Sequence, residues 1–204
     1  MRGFRIAVLL AALAATSCGL ANDDRTEKNK YVYLTFFDKT FERFCIENYD
    51  LNGDGRLSRY EAQRVRELSC SGLEIASLAD LEAFTSLERL DCAQNDLEEL
   101  DLTPCTRLRQ VDCRGNRIAR LDVEDLRALV RLDCSDNELV QVDLTSNTSL
   151  AGLDVRRNRF RTLDVASCAA TLQADVRENP ELTTVYCRSG QGVSFDGITE
   201  LVAR

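Results

Sequence analysis

The chain has 204 residues, of which 44% are hydrophobic and 29% are charged, and its formal net charge is -8. This composition is that of a globular protein with one domain or two small ones, and its acidity argues against nucleic-acid binding, which needs a basic surface. Histidine is absent, so the commonest general base and the commonest transition-metal ligand are both missing.

The first 17 residues have the anatomy of an export signal. A basic start is followed by an apolar run at residues 6–15, which is too short for a stable membrane span. Small residues then precede Cys18, as in bacterial lipoprotein signals, where the cysteine becomes the first mature residue and carries lipid. Ala15 stands where such signals prefer leucine, so ordinary cleavage after Ser17 is the alternative.

Residues 18–30 are polar and charged, which predicts a flexible tether. We expect contact with a membrane only through lipid on Cys18. The predicted location is the cell envelope, at the outer membrane or cell surface, and the alternatives are secretion or a periplasmic location.

A calcium-binding loop is predicted at residues 50–61, DLNGDGRLSRYE, which match the EF-hand spacing at every diagnostic position. Calcium takes about six to eight oxygen ligands, and alternate residues of such a loop point inward. Gly55 would take the sharp turn, and Leu57 is the apolar residue that follows it. The predicted ligands are Asp50, Asn52, Asp54, Arg56 through its carbonyl, Ser58 and Glu61.

Helical patterns flank this loop, so residues 31–68 are predicted to form a helix–loop–helix cap. Ser58 can form a capping box with Glu61. The alternative for the loop is a solvated turn that binds nothing. No second calcium loop is found, so Leu57 must pack on the solenoid or on another molecule, and we expect a weakly held structural calcium. The helical positions are Phe37, Phe41, Phe44 and Cys45 before the loop, and Tyr60, Ala62, Val65 and Leu68 after it.

A 21-residue repeat fills most of the remaining chain. Its pattern is L-x-x-L-D-C-x-x-N-x-L-x-x-L-D-L, which is that of a leucine-rich repeat. The clear repeat units begin at Leu87. A degenerate coil precedes them at residues 65–86, and another coil that matches the pattern poorly follows near Leu172. This gives about six repeats of 21–22 residues. The asparagines of the repeat are Asn95, Asn116, Asn137, Asn158 and Asn179.

The repeat predicts an α/β solenoid over residues 69–187, in which like residues of successive coils stack. Leucines should face inward, and each asparagine should turn inward to satisfy backbone groups at a bend. Leu100 and Leu102 belong to a second short extended segment, so the coil should be flattened with two strand-like edges. Residues 188–204 are predicted to close the C-terminal end.

The cysteines are predicted to be core residues. Cys92, Cys113 and Cys134 share one repeat position, which Val155 and Val176 fill in the next two coils. A position shared with valine favours free buried thiols over disulfides. Zinc binding is disfavoured because the chain has no Cys-x-x-Cys motif.

Aspartates form two further columns, and strand alternation should turn both outward. Like charges about 5 Å apart repel, so arginines are expected to compensate them. The resulting face is either a solvated, charge-balanced surface or the partner-binding surface. The candidate partner-binding residues are Arg89, Asp91, Asp112, Arg114, Arg131, Asp133, Asp154, Arg156, Asp175 and Arg177. The second column is Asp101, Asp122, Asp143 and Asp164.

Three stretches carry a family resemblance: FERFCIENYDLNGDGRLSRYEA, LERLDCAQNDLEELDL with its repeats, and NPELTTVYC. Together they resemble Bacteroidetes-type leucine-rich repeat lipoproteins with an N-terminal EF-hand-like helix–loop–helix, over residues 31–190. The resemblance implies a right-handed solenoid capped by an EF-hand-like helix pair and export to the cell envelope or surface. For the wider leucine-rich repeat class it implies protein or glycan binding.

The sequence therefore predicts an exported, lipid-anchored binding module that captures a protein or glycan partner and holds a structural Ca²⁺. The alternative is a periplasmic structural or assembly protein that associates with itself through its solenoid faces. No enzymatic activity is expected, because buried cysteines and aspartates on an open face lack the environments that activate such groups.

Overall fold

The computed structural model describes residues 32–197 and 199–204. The export signal at 1–17, the lipidation candidate Cys18 and the tether at 18–30 lie outside the described residues. None of the helices within the described part has the length and apolar character needed to cross a membrane.

The described chain begins with two helices joined by the predicted loop. Helix α1 spans Lys39–Tyr49 and is capped by Asp38, whose side chain accepts hydrogen bonds from the backbone N–H groups of Thr40 and Phe41. Helix α2 spans Arg59–Ala62, and the predicted capping box between Ser58 and Glu61 is present.

Two helical predictions in this region are wrong. Helix α2 ends after one turn at Ala62 and does not reach Leu68, which lies in strand β1 (Glu67–Ser69). Leu68 is extended because it pairs in parallel with Leu90 of the next coil, and this long-range pairing outweighs the local helical pattern. Phe37 lies outside α1 and is 79% exposed, because the helix begins only after its cap.

Parallel strands then stack in register to form a seven-stranded sheet, β1-β2-β4-β6-β7-β9-β11. Leu90, Val111, Leu132 and Leu153 are direct partners in this ladder, so one coil advances by one strand. Seven strands correspond to six turns, which confirms the predicted solenoid. The later strands are β2 (Arg89–Asp91), β4 (Gln110–Asp112), β6 (Arg131–Asp133), β7 (Gly152–Asp154), β9 (Gln173–Asp175) and β11 (Gly192–Ser194).

The second strand-like edge of the coil is also confirmed. It consists of a two-stranded parallel sheet, β3-β5, and a three-stranded parallel sheet, β12-β10-β8. Residues 141–143 lie at the corresponding place between the two sheets and form no strand. The strands are β3 (Glu99–Asp101), β5 (Arg120–Asp122), β8 (Thr162–Asp164), β10 (Thr184–Cys187) and β12 (Glu200–Ala203).

The repeated asparagines turn inward as predicted. Asn137 donates through Nδ2 to the carbonyl oxygens of Cys113, Cys134 and Ser135, each at 3.1 Å, and its Oδ1 accepts from the backbone N–H of Ile118 at 2.9 Å. The other four asparagines repeat this arrangement between their own coils. Each amide therefore joins two adjacent coils and pairs backbone groups that the bend would leave unsatisfied.

The cysteine column lies in the core. Cys70 precedes the three predicted members, and each follows a strand of the large sheet. Burial raises the pKa of the Cys70 thiol to about 12. It also raises the pKa values of the Cys92 and Cys134 thiols well above the usual value for cysteine. All eight described cysteines are buried thiols, and none of these eight is bonded to another.

Candidate binding groove

A groove of about 1170 Å³ runs over the outer face of the seven-stranded sheet. The end of helix α1 borders it through Phe44, Asn48 and Tyr49, and its far end reaches Ser194. The first and third residues of each strand lie on this face of the sheet, because side chains of a strand alternate between faces. The first column is Glu67, Arg89, Gln110, Arg131, Gly152, Gln173 and Gly192; the second is Ser69, Asp91, Asp112, Asp133, Asp154, Asp175 and Ser194.

The groove aspartates, Asp91, Asp112, Asp133, Asp154 and Asp175, have a structural role that was not predicted from the sequence. Oδ1 of Asp154 accepts from the backbone N–H of Arg156 at 3.0 Å, and Asp133 does the same with Ser135 at 3.1 Å. The same two-residue step recurs at the second edge, where Asp143 accepts from Thr145 at 2.9 Å. Each aspartate at a strand end thus forms an Asx turn there, and Asp143 forms the same turn where no strand is present. The recurrence of aspartate at the ends of strands β2 to β9 was the available signal.

Arginines balance the negative charge of these groove aspartates, as expected. Arg156 forms an ion pair with Asp154 at 2.7 Å and approaches Asp175 of the next coil at 3.6 Å. Arg177 bonds to Asp175 at 2.6 Å, and this bond lowers the pKa of Asp175. Arg114 pairs in the same way with Asp112 and Asp133, whereas Arg89 pairs with Glu67 of the first column.

Arg131 differs from these four arginines. It is exposed on the groove floor and forms no ion pair with any described residue. Its partners in the adjacent strands are Gln110 and Gly152, neither of which carries charge. A Cβ atom added at Gly152 would lie 3.5 Å from the Cγ atom of Arg131. Because Gly152 has no side chain, it leaves free space beside the aliphatic part of the Arg131 side chain.

The predicted calcium loop is tightly folded. Asp50 accepts backbone N–H bonds from Gly53 and Gly55, each at 2.8 Å, and both glycines have left-handed φ values of +71° and +80°. Glu61 is 3% exposed and accepts from the backbone N–H groups of Leu51 at 3.0 Å and Ser58 at 2.9 Å. The turn predicted at Gly55 is therefore present.

The donor set of the loop suits a hard cation, since its six predicted ligands all offer oxygen. Each oxygen of Asp50 accepts one backbone N–H bond and keeps a second lone pair, whereas both oxygens of Glu61 accept two bonds each, from Leu51, Asn52 and Ser58. Among residues 32–197 and 199–204, however, no group of three or more His, Cys, Asp or Glu side chains converges in a manner that could hold a metal. The residue types of the loop are oxygen donors of the kind that calcium prefers, while its carboxylates bond to groups of the loop itself.

An extended strap, residues 32–34, braces the loop where a second calcium loop would otherwise do so. Leu34 donates to the carbonyl of Leu57 at 2.9 Å, and Arg59 donates to that of Val32 at 2.7 Å. The hydroxyl of Tyr33 donates to Asp54 at 2.7 Å, which lowers the pKa of that carboxyl. Leu57 itself is 2% exposed and packs within the hydrophobic core of this chain.

Solved structures with a similar fold share this architecture. The functional domain of InlJ from Listeria monocytogenes, described as including a cysteine ladder, has 26% sequence identity and a TM-score of 0.65, covering 74% of this chain and 36% of that one. An internalin, InlF, from the same species has 14% identity and a TM-score of 0.54, covering 80% of this chain and 52% of that one. This chain therefore spans about a third to a half of those structures. No protein-family model matches the sequence, and neither does any curated protein.

These comparisons define the class: the chain is a solenoid of the leucine-rich repeat type. This chain has a column of buried cysteines of its own, Cys70, Cys92, Cys113 and Cys134. The predicted partner-binding residues lie on or beside the groove, because the strands that carry them stack in register.

Proposed function

We propose that this protein is an exported, lipid-anchored leucine-rich repeat module that captures a protein or glycan partner in the groove. The observation that carries this proposal is the exposed, unpaired guanidinium of Arg131 at the centre of the groove floor. The matching partner presents a carboxylate, because a guanidinium binds a carboxylate through two parallel hydrogen bonds.

The surrounding groove supports this choice of contact. The charges of Arg114, Arg156 and Arg177 are already balanced by the aspartate column, so they mainly hold adjacent coils together. Gln110 and Gln173 add uncharged amide donors and acceptors to the floor near Arg131. Phe44 and Tyr49 add aromatic surface at one end. Mixed amide, aromatic and charged groups of this kind are typical of recognition surfaces.

Arg131→Glu tests the proposal, with Arg120→Glu as the matched control. Both arginines are the exposed first residues of their strands and have no ion pair among described residues, but Arg120 lies on the second edge. Immobilised Arg131→Glu protein should lose at least about tenfold in partner capture from host or bacterial extracts, with unchanged melting temperature. Equal capture by wild type and Arg131→Glu would overturn this assignment of the groove.

Export and anchoring rest on the signal anatomy before Cys18. Surface display is favoured over a periplasmic assembly role because the groove offers an unpaired charged residue to a partner. Protease treatment of intact cells separates the two: a displayed module is cut, and a periplasmic one is spared. Replacement of Cys18 by alanine should release the protein from membranes, and continued membrane retention would contradict lipid anchoring at that residue.

The loop at residues 50–61 holds a structural calcium in this proposal. Its oxygen donors, the glycine turn and the bracing strap support the assignment, and three carboxylates predict a dissociation constant on the order of 10⁻⁴ to 10⁻³ M. Calcium should raise the melting temperature of the wild type and leave that of Asp54→Ala unchanged. Glu47→Ala removes one carboxylate from the exposed side of α1 and serves as the control. Absence of calcium heat in titration calorimetry, with unchanged melting in chelator, would refute it.

Binding is favoured over catalysis by the state of the thiols. Burial raises the pKa of Cys105 to about 12 and that of Cys168 to about 11. A nucleophilic cysteine needs the opposite shift, a lowered pKa beside a positive charge.

A further inference from the structure

The loop at residues 50–61 contains the one Asn-Gly dipeptide of the sequence, Asn52-Gly53. The side-chain amide of an asparagine can be attacked by the backbone nitrogen of the next residue, and glycine favours this attack because it has no side chain to shield that nitrogen. Asn52 and Asn48 are the exposed asparagines among the described residues, since those of the solenoid are all buried. No atom beyond the chain neighbours lies within 4 Å of a Cβ atom added at Gly53, so the space beside this glycine is open.

Two hydrogen bonds of the loop favour such an attack. Oδ1 of Asp50 accepts from the backbone N–H of Gly53 at 2.8 Å, so a carboxylate already binds the proton that the attacking nitrogen must lose. Oδ1 of Asn52 accepts from the backbone N–H of Asp54 at 2.9 Å, so a donor already points at the oxygen on which negative charge develops. The second bond closes an Asx turn, which folds the side-chain amide of Asn52 alongside the peptide that follows it.

We propose that Asn52 is a site of intramolecular deamidation in the folded protein. The Gly53 nitrogen attacks Cγ of Asn52, the new N–Cγ bond closes a succinimide ring, and the Cγ–Nδ2 bond breaks. The proton of the Gly53 nitrogen passes through Asp50 to the departing nitrogen, which leaves as ammonia. Water then opens the ring at either carbonyl carbon and leaves aspartate or isoaspartate in place of Asn52. The reaction consumes only water, and nothing is oxidised or reduced.

Deamidation changes a contact that holds the loop together. Nδ2 of Asn52 donates to Oδ2 of Asp54 at 3.0 Å, and the hydroxyl of Tyr33 in the strap donates to the same oxygen at 2.7 Å. In the aspartate product the Nδ2 donor becomes a charged oxygen that faces Asp54, and like charges at such a separation repel. In the isoaspartate product the backbone also gains a methylene group, which shifts the N–H groups that follow. The reaction therefore loosens the loop.

Peptide mapping by mass spectrometry tests the site in the purified folded protein, incubated at neutral pH in chelator. Chelator separates this test from the proposed calcium, whose ligands include Asp50 and Asn52. The mass gain of replacing NH2 by OH should appear at Asn52 and not at Asn48, which is also exposed but precedes Tyr49 and lies in helix α1. Conversion should be about tenfold faster than in an unfolded synthetic peptide of residues 48–61. A folded protein that converts no faster than the peptide overturns the proposal.

Asp50→Asn and Glu47→Gln form a matched pair of variants. Each replaces a carboxylate by its amide, but Asp50 accepts from the Gly53 N–H, whereas Glu47 lies on the exposed side of α1. Asp50→Asn should slow conversion at Asn52 by at least about tenfold, and Glu47→Gln should leave it unchanged, with circular dichroism confirming that both fold. Equal rates in the two variants would overturn the role of Asp50 in ring closure.

The structural consequence is measured on the converted protein, which anion exchange separates because deamidation adds a negative charge. In chelator, the converted protein should melt at a lower temperature than the unconverted protein. Asn52→Asp carries the added charge without the longer backbone, so its melting temperature should lie between the two. Equal melting of converted and unconverted protein would overturn the inferred loosening of the loop.

Discussion

Asp38 Oδ2 accepts a hydrogen bond of 2.8 Å from the backbone N–H of Ala76, and this contact ties the helical cap to the first coil. Oδ1 of the same carboxylate caps helix α1 through Thr40 and Phe41. The tie is reciprocal, because Asp80 of the coil accepts from the backbone N–H of Phe37 beside the cap at 3.0 Å. The first coil of the solenoid and the start of helix α1 are thus joined by two carboxylates, one from each side: Asp38 binds the coil, and Asp80 of the coil binds the chain before the helix.

Asp38→Ala should lower the free energy of unfolding by about 2 kcal/mol, because it removes both the helix cap and the bond to Ala76. Asp38→Asn retains an acceptor oxygen for the cap and should lose less. Urea denaturation of the three proteins at neutral pH measures the difference. Equal stability of wild type and Asp38→Ala would show that the junction is held by apolar packing alone.

The same carboxylate gives a pH dependence. Burial would raise the pKa of Asp38, but the backbone N–H donors of Phe41, Ala76 and Thr40 outweigh it and lower the pKa below its ordinary value. A lowered folded-state pKa contributes stability above the unfolded pKa of about 3.9, and this stability is lost as the pH falls through the folded value. The advantage of wild type over Asp38→Asn should therefore shrink at acid pH.

Two buried asparagines should respond oppositely to the same substitution. Asn137→Cys removes the amide that accepts from the backbone N–H of Ile118 and donates to three carbonyls. This loss should lower the free energy of unfolding by about 3 kcal/mol. Asn147 occupies the repeat position of Cys105 and Cys168, is fully buried, and its Oδ1 has no hydrogen-bond partner within the described chain.

Asn147→Cys should accordingly stabilise the protein by about 1 kcal/mol, since it removes that unsatisfied acceptor. The carbonyls of Val123 and Leu126 that accept from Asn147 Nδ2 still accept backbone bonds from Leu126 and Leu129. Chemical denaturation under reducing conditions compares both variants. Destabilisation by Asn147→Cys would indicate that its amide bonds outweigh the unpaired oxygen.

The residue before each repeated asparagine adopts a left-handed backbone, with φ of 53° at Gln94 and 67° at Gly115. A side chain costs about 1 kcal/mol there relative to glycine. Gln94→Gly should therefore raise the free energy of unfolding by about 1 kcal/mol. Gly115→Ala should lower it by at least as much, because the new Cβ would lie 3.3 Å from Gln94 Cγ. Thermal melts of the two variants that shift in the same direction would contradict this conformational explanation.

Much of the fold could be predicted from sequence because the same core and turn residues recur in each coil of the repeat. The asparagine interval defined the coil, and the core positions of the leucines and cysteines follow from it. The end of α2 could not be predicted locally, because Leu68 is extended by its pairing with Leu90 in another coil. The strap at residues 32–34 was missed for the same reason: its partner, the loop around Leu57, lies beyond any local pattern.

The sequence predicted which groove residues align along successive strands, but it did not predict which of them form ion pairs or hydrogen bonds with one another. Sequence spacing aligned Arg131 with the other arginines, whereas its lack of an ion pair depends on Gln110 and Gly152 in the neighbouring strands. The Asx turns likewise arise where each strand ends, and strand ends depend on the stacking of whole coils.

Alkaline pH should destabilise the protein through its cysteine column. Burial raises the folded-state pKa of Cys92, Cys113 and Cys134 well above the usual value. A thiol with a raised folded pKa contributes stability that is complete below the unfolded pKa of about 8.5 and is lost as the pH rises toward the folded value. Near pH 10 the loss should reach about 2 kcal/mol for each thiol that ionises only on unfolding.

Replacement of these three cysteines by valine isolates the effect, since Val155 and Val176 already fill the same position in later coils with at most 1% exposure. The triple variant should lose markedly less stability than wild type between neutral pH and pH of about 10, measured by urea denaturation under reducing conditions. Ser149→Cys adds an exposed thiol with no reason for a shifted pKa and should leave the pH profile unchanged. Parallel profiles for wild type and the triple variant would mean that the column is not the source of the alkaline sensitivity.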